Sequence, residues 1–354
     1  MIPEISPMSA PLNNTPLPLA VSMGDPAGVG LDIAIAAWMA RKERAIPPFA
    51  LYADPGAVLE RAERLGAKAA IETVDAMENA LAFFPRALPV VPIPLAAPAV
   101  AGRPDSANAP AVIAAIEAAT AAALSGRAGA LVTGPISKAT LYARGFAYPG
   151  HTEFLAALAE RRTPGRQIRP VMMLASDDLR VVPATVHIPL AEVPGAITRD
   201  LILETARVTH EALRRDFGVA RPRIAVAGLN PHAGEGGALG REELDIIAPA
   251  IAALREEGLN VAGPHSADTL FHEAARKTYD AVIAMYHDQA LIPLKTLAFD
   301  KGVNVTLGLP LVRASPDHGT AFDIAGTGRA SPESFIAALG MAAAIARRRA
   351  EAGP

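Results

Sequence analysis

The chain has 354 residues, 51% hydrophobic and 19% charged, which supplies a large core and argues for about two domains. Its 33 basic and 36 acidic residues leave a net charge of −3, so there is no basic excess to neutralise a nucleic-acid backbone. Cysteine is absent, which excludes disulfides, thiolate nucleophiles, iron–sulfur clusters and Cys-held zinc; any metal must be held by His, Asp, Glu or water. Residues 1–17, with Pro3, Pro7, Pro11, Pro16 and the pair Asn13-Asn14, are expected to form a disordered lead and lack the basic-then-apolar pattern of a signal peptide. Leu19–Met23 then reads as a buried strand, broken by Gly24-Asp25-Pro26-Ala27-Gly28-Val29-Gly30 before a helix over 31–43. Further strands are predicted over 49–53, 129–133, 170–175, 180–186, 223–228, 280–286 and 303–307. Helices are predicted over 55–65, 108–125, 152–161, 197–216, 241–256 and 333–349. Short, nearly continuous apolar strands alternating with helices predict an α/β fold whose sheet is covered on both faces. No apolar run reaches 18 residues, so a cytoplasmic protein with no membrane partner is expected.

Three of the eight histidines share a context: His187, His232 and His287 each follow the C-terminal end of a predicted strand. Ligands of open α/β sheets bind outside those ends. A single histidine there is ordinarily a hydrogen-bonded loop residue. Three in matched positions suit a divalent cation that keeps a position open for substrate.

Other residue sets carry chemistry. Pro149-Gly150-His151-Thr152-Glu153 opens a predicted helix, where free amides, an imidazole and a hydroxyl suit a phosphate, or where Thr152 simply caps the helix. Lys295, flanked by apolar residues in Leu291-Ile292-Pro293-Leu294-Lys295, suits proton transfer because desolvation disfavours its charged form. Asp268 and Asn304 are further candidates, and Arg313 suits a carboxylate or phosphate. The late loop Ser315 to Gly328 is rich in glycine and polar residues, and its His318 and Asp323 suit the polar groups of an adenosine. No Gly-x-Gly-x-x-Gly follows a strand, and neither a Walker loop nor a Gly-x-Ser-x-Gly elbow occurs.

From about Leu19 to Ala344 the chain resembles the 4-hydroxythreonine-4-phosphate dehydrogenase family of pyridoxal phosphate biosynthesis. The stretches that carry the resemblance are the 24–30 turn, Thr133-Gly134-Pro135-Ile136-Ser137-Lys138, Gly150-His151-Thr152-Glu153, Leu229-Asn230-Pro231-His232-Ala233-Gly234-Glu235, Tyr286-His287-Asp288-Gln289 and the loop His318 to Gly328. The late loop also resembles the adenosine-binding loop of isocitrate and isopropylmalate dehydrogenases. The resemblance implies their two-domain α/β fold with the active site in the interdomain cleft. On that basis residues 18–130 with 310–354 form the first, cofactor-side domain, and 131–309 form the second, which carries metal, substrate and dimerisation surfaces.

The resemblance further implies a homodimer with shared active sites. It makes His187, His232 and His287 ligands of Zn, Mg or Co, and His151, Thr152, Lys295, Asn304 and Arg313 substrate contacts. The reaction it implies is NAD- or NADP-dependent oxidation of 4-phosphooxy-L-threonine to a β-keto acid that decarboxylates, with Lys295 taking the alcohol proton and Asp268 assisting. Either Arg313 or His151 with Thr152 holds the phosphate. One stretch departs from the family: Val181-Val182-Pro183-Ala184-Thr185-Val186 carries a proline and a valine near the first metal ligand, where the resemblance implies a more Thr-rich stretch. That departure keeps a 4-phospho-threonate or 4-phospho-erythronate dehydrogenase as an alternative. A metal-dependent lyase without nicotinamide and a non-catalytic phospho-ligand binder are the others.

Overall fold

A computed structural model describes residues 17–162, 165 and 167–352; apart from Leu17, the lead expected over 1–17 lies outside them. Twelve strands form one sheet: β1 (Leu19–Ser22), β2 (Phe49–Ala53), β3 (Ile71–Thr73), β4 (Leu88–Pro92), β5 (Leu131–Thr133), β6 (Val171–Ala175), β7 (Arg180–Pro183), β8 (Arg223–Ala227), β9 (Asn260–His265), β10 (Ala281–Ala284), β11 (Val303–Leu307) and β12 (Arg313–Pro316). Their order is β3-β4-β2-β1-β5-β12-β11-β6-β7-β10-β8-β9. The first six strands are mutually parallel, as are β7, β10, β8 and β9, and three antiparallel junctions separate the two sets. Three reversals leave the sets running in opposite directions. Between β5 and β7 the sheet also turns by about 80–100°, at ~20–25° per strand.

The expected α/β class holds, with shifted boundaries. β1 is buried along its whole length, as a strand covered on both faces must be. The helix Ala109–Leu124, opened by Pro110 in its first turn, belongs to an apolar helical segment, Ser106–Leu124, long enough to suggest a membrane span, yet half of that segment is buried and the helix packs on β1 and β2. The strand expected over 180–186 stops at Pro183, and that over 280–286 at Ala284. Leu291–Lys295, read only as an apolar stretch, lies within a helix, His287–Ala298, with Pro293 inside it.

Candidate active site

A row of polar side chains crosses the middle of the sheet. Ser22 of β1 pairs with Thr133 of β5, and Asn304 of β11 pairs with Ser315 of β12. The β5–β12 register continues so that Ser315 lies opposite Thr133. These four therefore share one face, and Arg313, two residues before Ser315, shares it too. Arg313 is only 3% exposed; its guanidinium donates to Thr306 Oγ1 at 3.0 Å and to Thr133 Oγ1 at 2.7 Å. Burial pulls its pKa down to about 10, with the Glu153 carboxylate acting against that, so it stays charged at neutral pH.

Four buried polar atoms here have no partner: Ser22 Oγ, His151 Nε2, Asn304 Oδ1 and Arg313 Nε. Buried polar atoms are nearly always hydrogen-bonded, so an orphaned set of donors and acceptors marks a place built for a ligand. His151 opens the helix His151–Arg162. Burial, and then the charges of Arg313 and Lys138, push its pKa well below 6.5 and keep the ring neutral. Lys138 and Glu153 both flank Gly150: a methyl there would lie 3.9 Å from Lys138 Nζ and 3.5 Å from Glu153 Oε2. Four of the substrate candidates thus belong to one polar cluster, His151 and Thr152 at its helix start and Asn304 and Arg313 in the sheet. Ser22 and Thr306 join them without having been named, and Thr133, Lys138 and Glu153, quoted only as members of longer stretches, join them with no role assigned; a hydroxyl ending an otherwise apolar strand (Leu-Ala-Val-Ser, Leu-Val-Thr) was the available signal.

Because β7, β10 and β8 are adjacent and parallel, His187, His287 and His232 emerge at the same edge. The His187 and His287 rings lie 5.6 Å apart. His287 Nδ1 meets Asp288 Oδ1 at 2.7 Å, which leaves Nε2 for a ligand. The His187 pKa is lowered by burial and by the charges of Lys138 and His287, which keeps its ring in the neutral, metal-binding form. His232 lines the neighbouring cleft of about 290 Å³ with Asp268; Tyr286 belongs both to it and to the cleft of about 310 Å³ that holds His187 and His287. Among the described residues no three His, Asp or Glu side chains form a complete cation site within one chain. Two of the three imidazoles are thus brought together, and the third is one cleft away. Asp268 accepts from Ser266 Oγ at 2.6 Å; that bond holds its carboxyl below the usual range, with the nearby His232 contributing. In the departing stretch, the Thr185 hydroxyl donates to Met285 O at 2.7 Å and is buried.

Lys295 does not have the apolar environment that its sequence neighbours suggest. Its ammonium lies 3.0 Å from Asp317 Oδ2 and 5.5 Å from the Phe299 ring centroid, and Asp268 lines a different cleft. On the other half of the sheet the late loop is fastened to the 24–30 turn. Asp32 accepts from Gly326 N–H at 2.6 Å and pairs with Arg61, which donates to Gly28 O at 2.8 Å and Pro26 O at 3.0 Å. Val29 N–H donates to Thr320 O at 3.0 Å, and a methyl on Gly28 would lie 2.8 Å from that same oxygen. The turn's glycine at 28 therefore serves chain packing. His318 and Asp323 stand exposed on the fastened loop.

Known proteins fit this geometry. A family model described as "Pyridoxal phosphate biosynthetic protein PdxA" matches residues 45–342. A 4-hydroxythreonine-4-phosphate dehydrogenase of Methylorubrum extorquens is 56% identical over 94% of this chain and 96% of its own length. The crystal structure of 4-hydroxythreonine-4-phosphate dehydrogenase from Klebsiella pneumoniae superimposes with a TM-score of 0.83 at 38% identity, covering 94% of this chain and 99% of that one. A terephthalate 1,2-cis-dihydrodiol dehydrogenase from Burkholderia xenovorans is 31% identical with a TM-score of 0.60, covering 93% and 98%. A family match over most of the chain and this identity along nearly all of it place the chain in the pyridoxal phosphate biosynthetic protein PdxA family.

Proposed function

We propose that the chain oxidises the secondary alcohol of 4-phosphooxy-L-threonine with NAD or NADP, giving a β-keto acid that loses CO₂ to form 3-amino-2-oxopropyl phosphate in pyridoxine 5'-phosphate biosynthesis. One observation carries this reading: the buried, unpartnered His151 Nε2, Asn304 Oδ1 and Arg313 Nε converge where a doubly anionic substrate needs fixed polar groups. Arg313 has two donors already fixed by Thr133 and Thr306, so it presents a rigid cation through Nε. His151, kept neutral, and Thr152 add contacts at a helix start that favours anions. Lys295 takes the alcohol proton. The Asp317 carboxylate, 3.0 Å from Lys295 Nζ, accepts a proton from it and passes it to solvent, which frees the Nζ lone pair for the alcohol proton. Asp268 sits beside His232 and assists from the neighbouring cleft.

When bound, the nicotinamide supplies the two-electron oxidant and a divalent cation (Zn, Mg or Co) supplies Lewis acidity at the alcohol oxygen. His318 and Asp323 fit the adenosine end of the cofactor. His187 and His287 fit the cation, and His232 completes the set when two copies associate into a homodimer. Exposed apolar side chains around the clefts support that association: Leu190 is 68%, Ile292 64% and Phe299 73% exposed. The cytoplasm is the compartment this reading assigns. The test is a panel of 4-phosphooxy-L-threonine, 4-phospho-threonate and 4-phospho-erythronate with each nicotinamide and each metal, followed by reduced-nicotinamide absorbance. The reading expects turnover of the threonine compound well above the other two. Preference for threonate or erythronate would replace it by the paralogous activity, and no reduction with any substrate would refute a dehydrogenase.

A further inference from the structure

The turn Pro231–Gly237 runs through five consecutive left-handed residues: His232 (φ 52°, ψ 29°), Ala233 (50°, 42°), Gly234 (78°, −4°), Glu235 (44°, 55°) and Gly236 (66°, 18°). Three of these carry side chains, and such residues stay left-handed only where their surroundings hold them. The holding group is one buried carboxylate. Glu243, 2% exposed, opens a π-helical turn over Glu243–Ile247. Its Oε1 accepts from the Asn230 backbone N–H at 2.7 Å and its Oε2 from Asn230 Nδ2 at 2.9 Å, while Glu242 accepts from the same Nδ2 at 2.7 Å.

Glycines leave room for this arrangement and for nothing larger. A methyl on Gly234 would lie 2.6 Å from Glu243 Oε2, one on Gly228 would lie 2.9 Å from Ala233 Cα, and one on Gly240 would overlap the Asn230 amide. Gln289 then ties the base of the turn to the His287 element, donating to Gly228 O at 2.9 Å and accepting from Met285 N–H at 2.7 Å. Both Glu243 oxygens are engaged by N–H donors beneath the turn, whereas His232 lines the cleft above it.

We propose that Asn230 and Glu243 form a clasp that fixes the left-handed turn, aims the His232 imidazole and thereby sets divalent-cation affinity; the inference rests on the metal reading above. Glu243 is a positioning residue in this scheme. A turn released from it reverts toward right-handed backbone and swings His232 away, and metal–ligand distances tolerate only about 0.2 Å.

The test is Zn²⁺ titration of the full chain against a chromophoric chelator, without substrate or nicotinamide. Glu243→Gln turns an acceptor into a donor facing Asn230 Nδ2. We expect Zn²⁺ affinity to fall about tenfold to a hundredfold, the range for groups that orient a ligand, with far-UV circular dichroism unchanged. The triple variant N230D/E242Q/E243Q, which sets one carboxylate opposite two amides where the native turn sets one amide opposite two carboxylates, should recover most of that loss; recovery is not expected of a general packing defect. A folded E243Q with wild-type affinity overturns the proposal. Should E243Q fail to fold, Asn230→Ala, which keeps only the backbone hydrogen bond, should still weaken Zn²⁺ severalfold, and unchanged affinity overturns the proposal equally. If His232→Ala leaves wild-type Zn²⁺ binding intact, the metal reading and the clasp both fall. If binding depends on His232 but ignores E243Q and N230A, the clasp alone falls.

Discussion

His151 Nε2 is buried and unpartnered, and burial of the ring, then the Arg313 and Lys138 charges, disfavour its protonated form. A histidine with a depressed folded-state pKa takes up its proton more readily in the unfolded chain, so its effect on stability is absent above about 6.5 and becomes destabilising as pH falls below that value. His151→Gln should therefore flatten the loss of stability on mild acidification, by at most about 1.4 kcal/mol per pH unit, as read from urea midpoints across pH; an unchanged pH profile would show the ring is not held neutral. Arg313 makes the complementary case. Arg313→Lys keeps a charge but cannot reach Thr133, Thr306 and a ligand at once. Its kcat/KM should drop by about 2–4 kcal/mol in transition-state terms, mostly through KM, while a near-normal KM would remove Arg313 from the anion site. Individual roles were legible for residues whose chemistry is rare, such as the histidines and Arg313. Serine and threonine hydroxyls like Ser22 and Thr133 are common, and only strand register shows that they line one face.

At the scale of elements, most of the strands that were found are dominated by apolar residues; of the four that were missed, β3 (Ile-Glu-Thr) is too short to show a run and the other three contain prolines. β4 (Leu-Pro-Val-Val-Pro) and β9 (Asn-Val-Ala-Gly-Pro-His) carry prolines, and β12 (Arg-Ala-Ser-Pro) is central yet polar at alternate positions because its Arg313 and Ser315 face the site. Pro293 hid the helix His287–Ala298 in the same way. The late loop was recognised as special, but its fastening was not, since Asp32 and Arg61 are ordinary helix residues in sequence and meet only in the fold. Arg61→Met would leave Asp32 buried, with Gly326 N–H as its remaining partner, which should cost about 3–5 kcal/mol of stability and raise the KM for the nicotinamide more than that for the alcohol substrate. Parallel changes in both constants would separate this clamp from the cofactor loop.

Across the whole molecule, two parallel half-sheets of opposite sense are joined through the antiparallel strands β11 and β6, and the polar row crosses the first of those junctions, between β12 and β11. One chain brings two candidate metal histidines together and leaves the third in the adjoining cleft, beside an apolar rim that water alone would cover poorly. Substituting Ile292→Glu on that rim should give a monomer by sedimentation velocity and lose nearly all turnover while keeping the fold; a fully active monomer would mean that one copy suffices. Strand direction lay partly within reach of the sequence, but the register between two copies did not, because no residue pattern encodes it.

The central claim is that His187, His232 and His287 share one cation beside the orphaned polar set. Zinc-edge anomalous diffraction from crystals of the Zn²⁺-loaded protein addresses it directly. One ion per chain is expected, with three imidazole nitrogens at about 2.0–2.1 Å, from these histidines and drawing on two copies. An ion held elsewhere, or a cleft in which the three rings bind none, would contradict it.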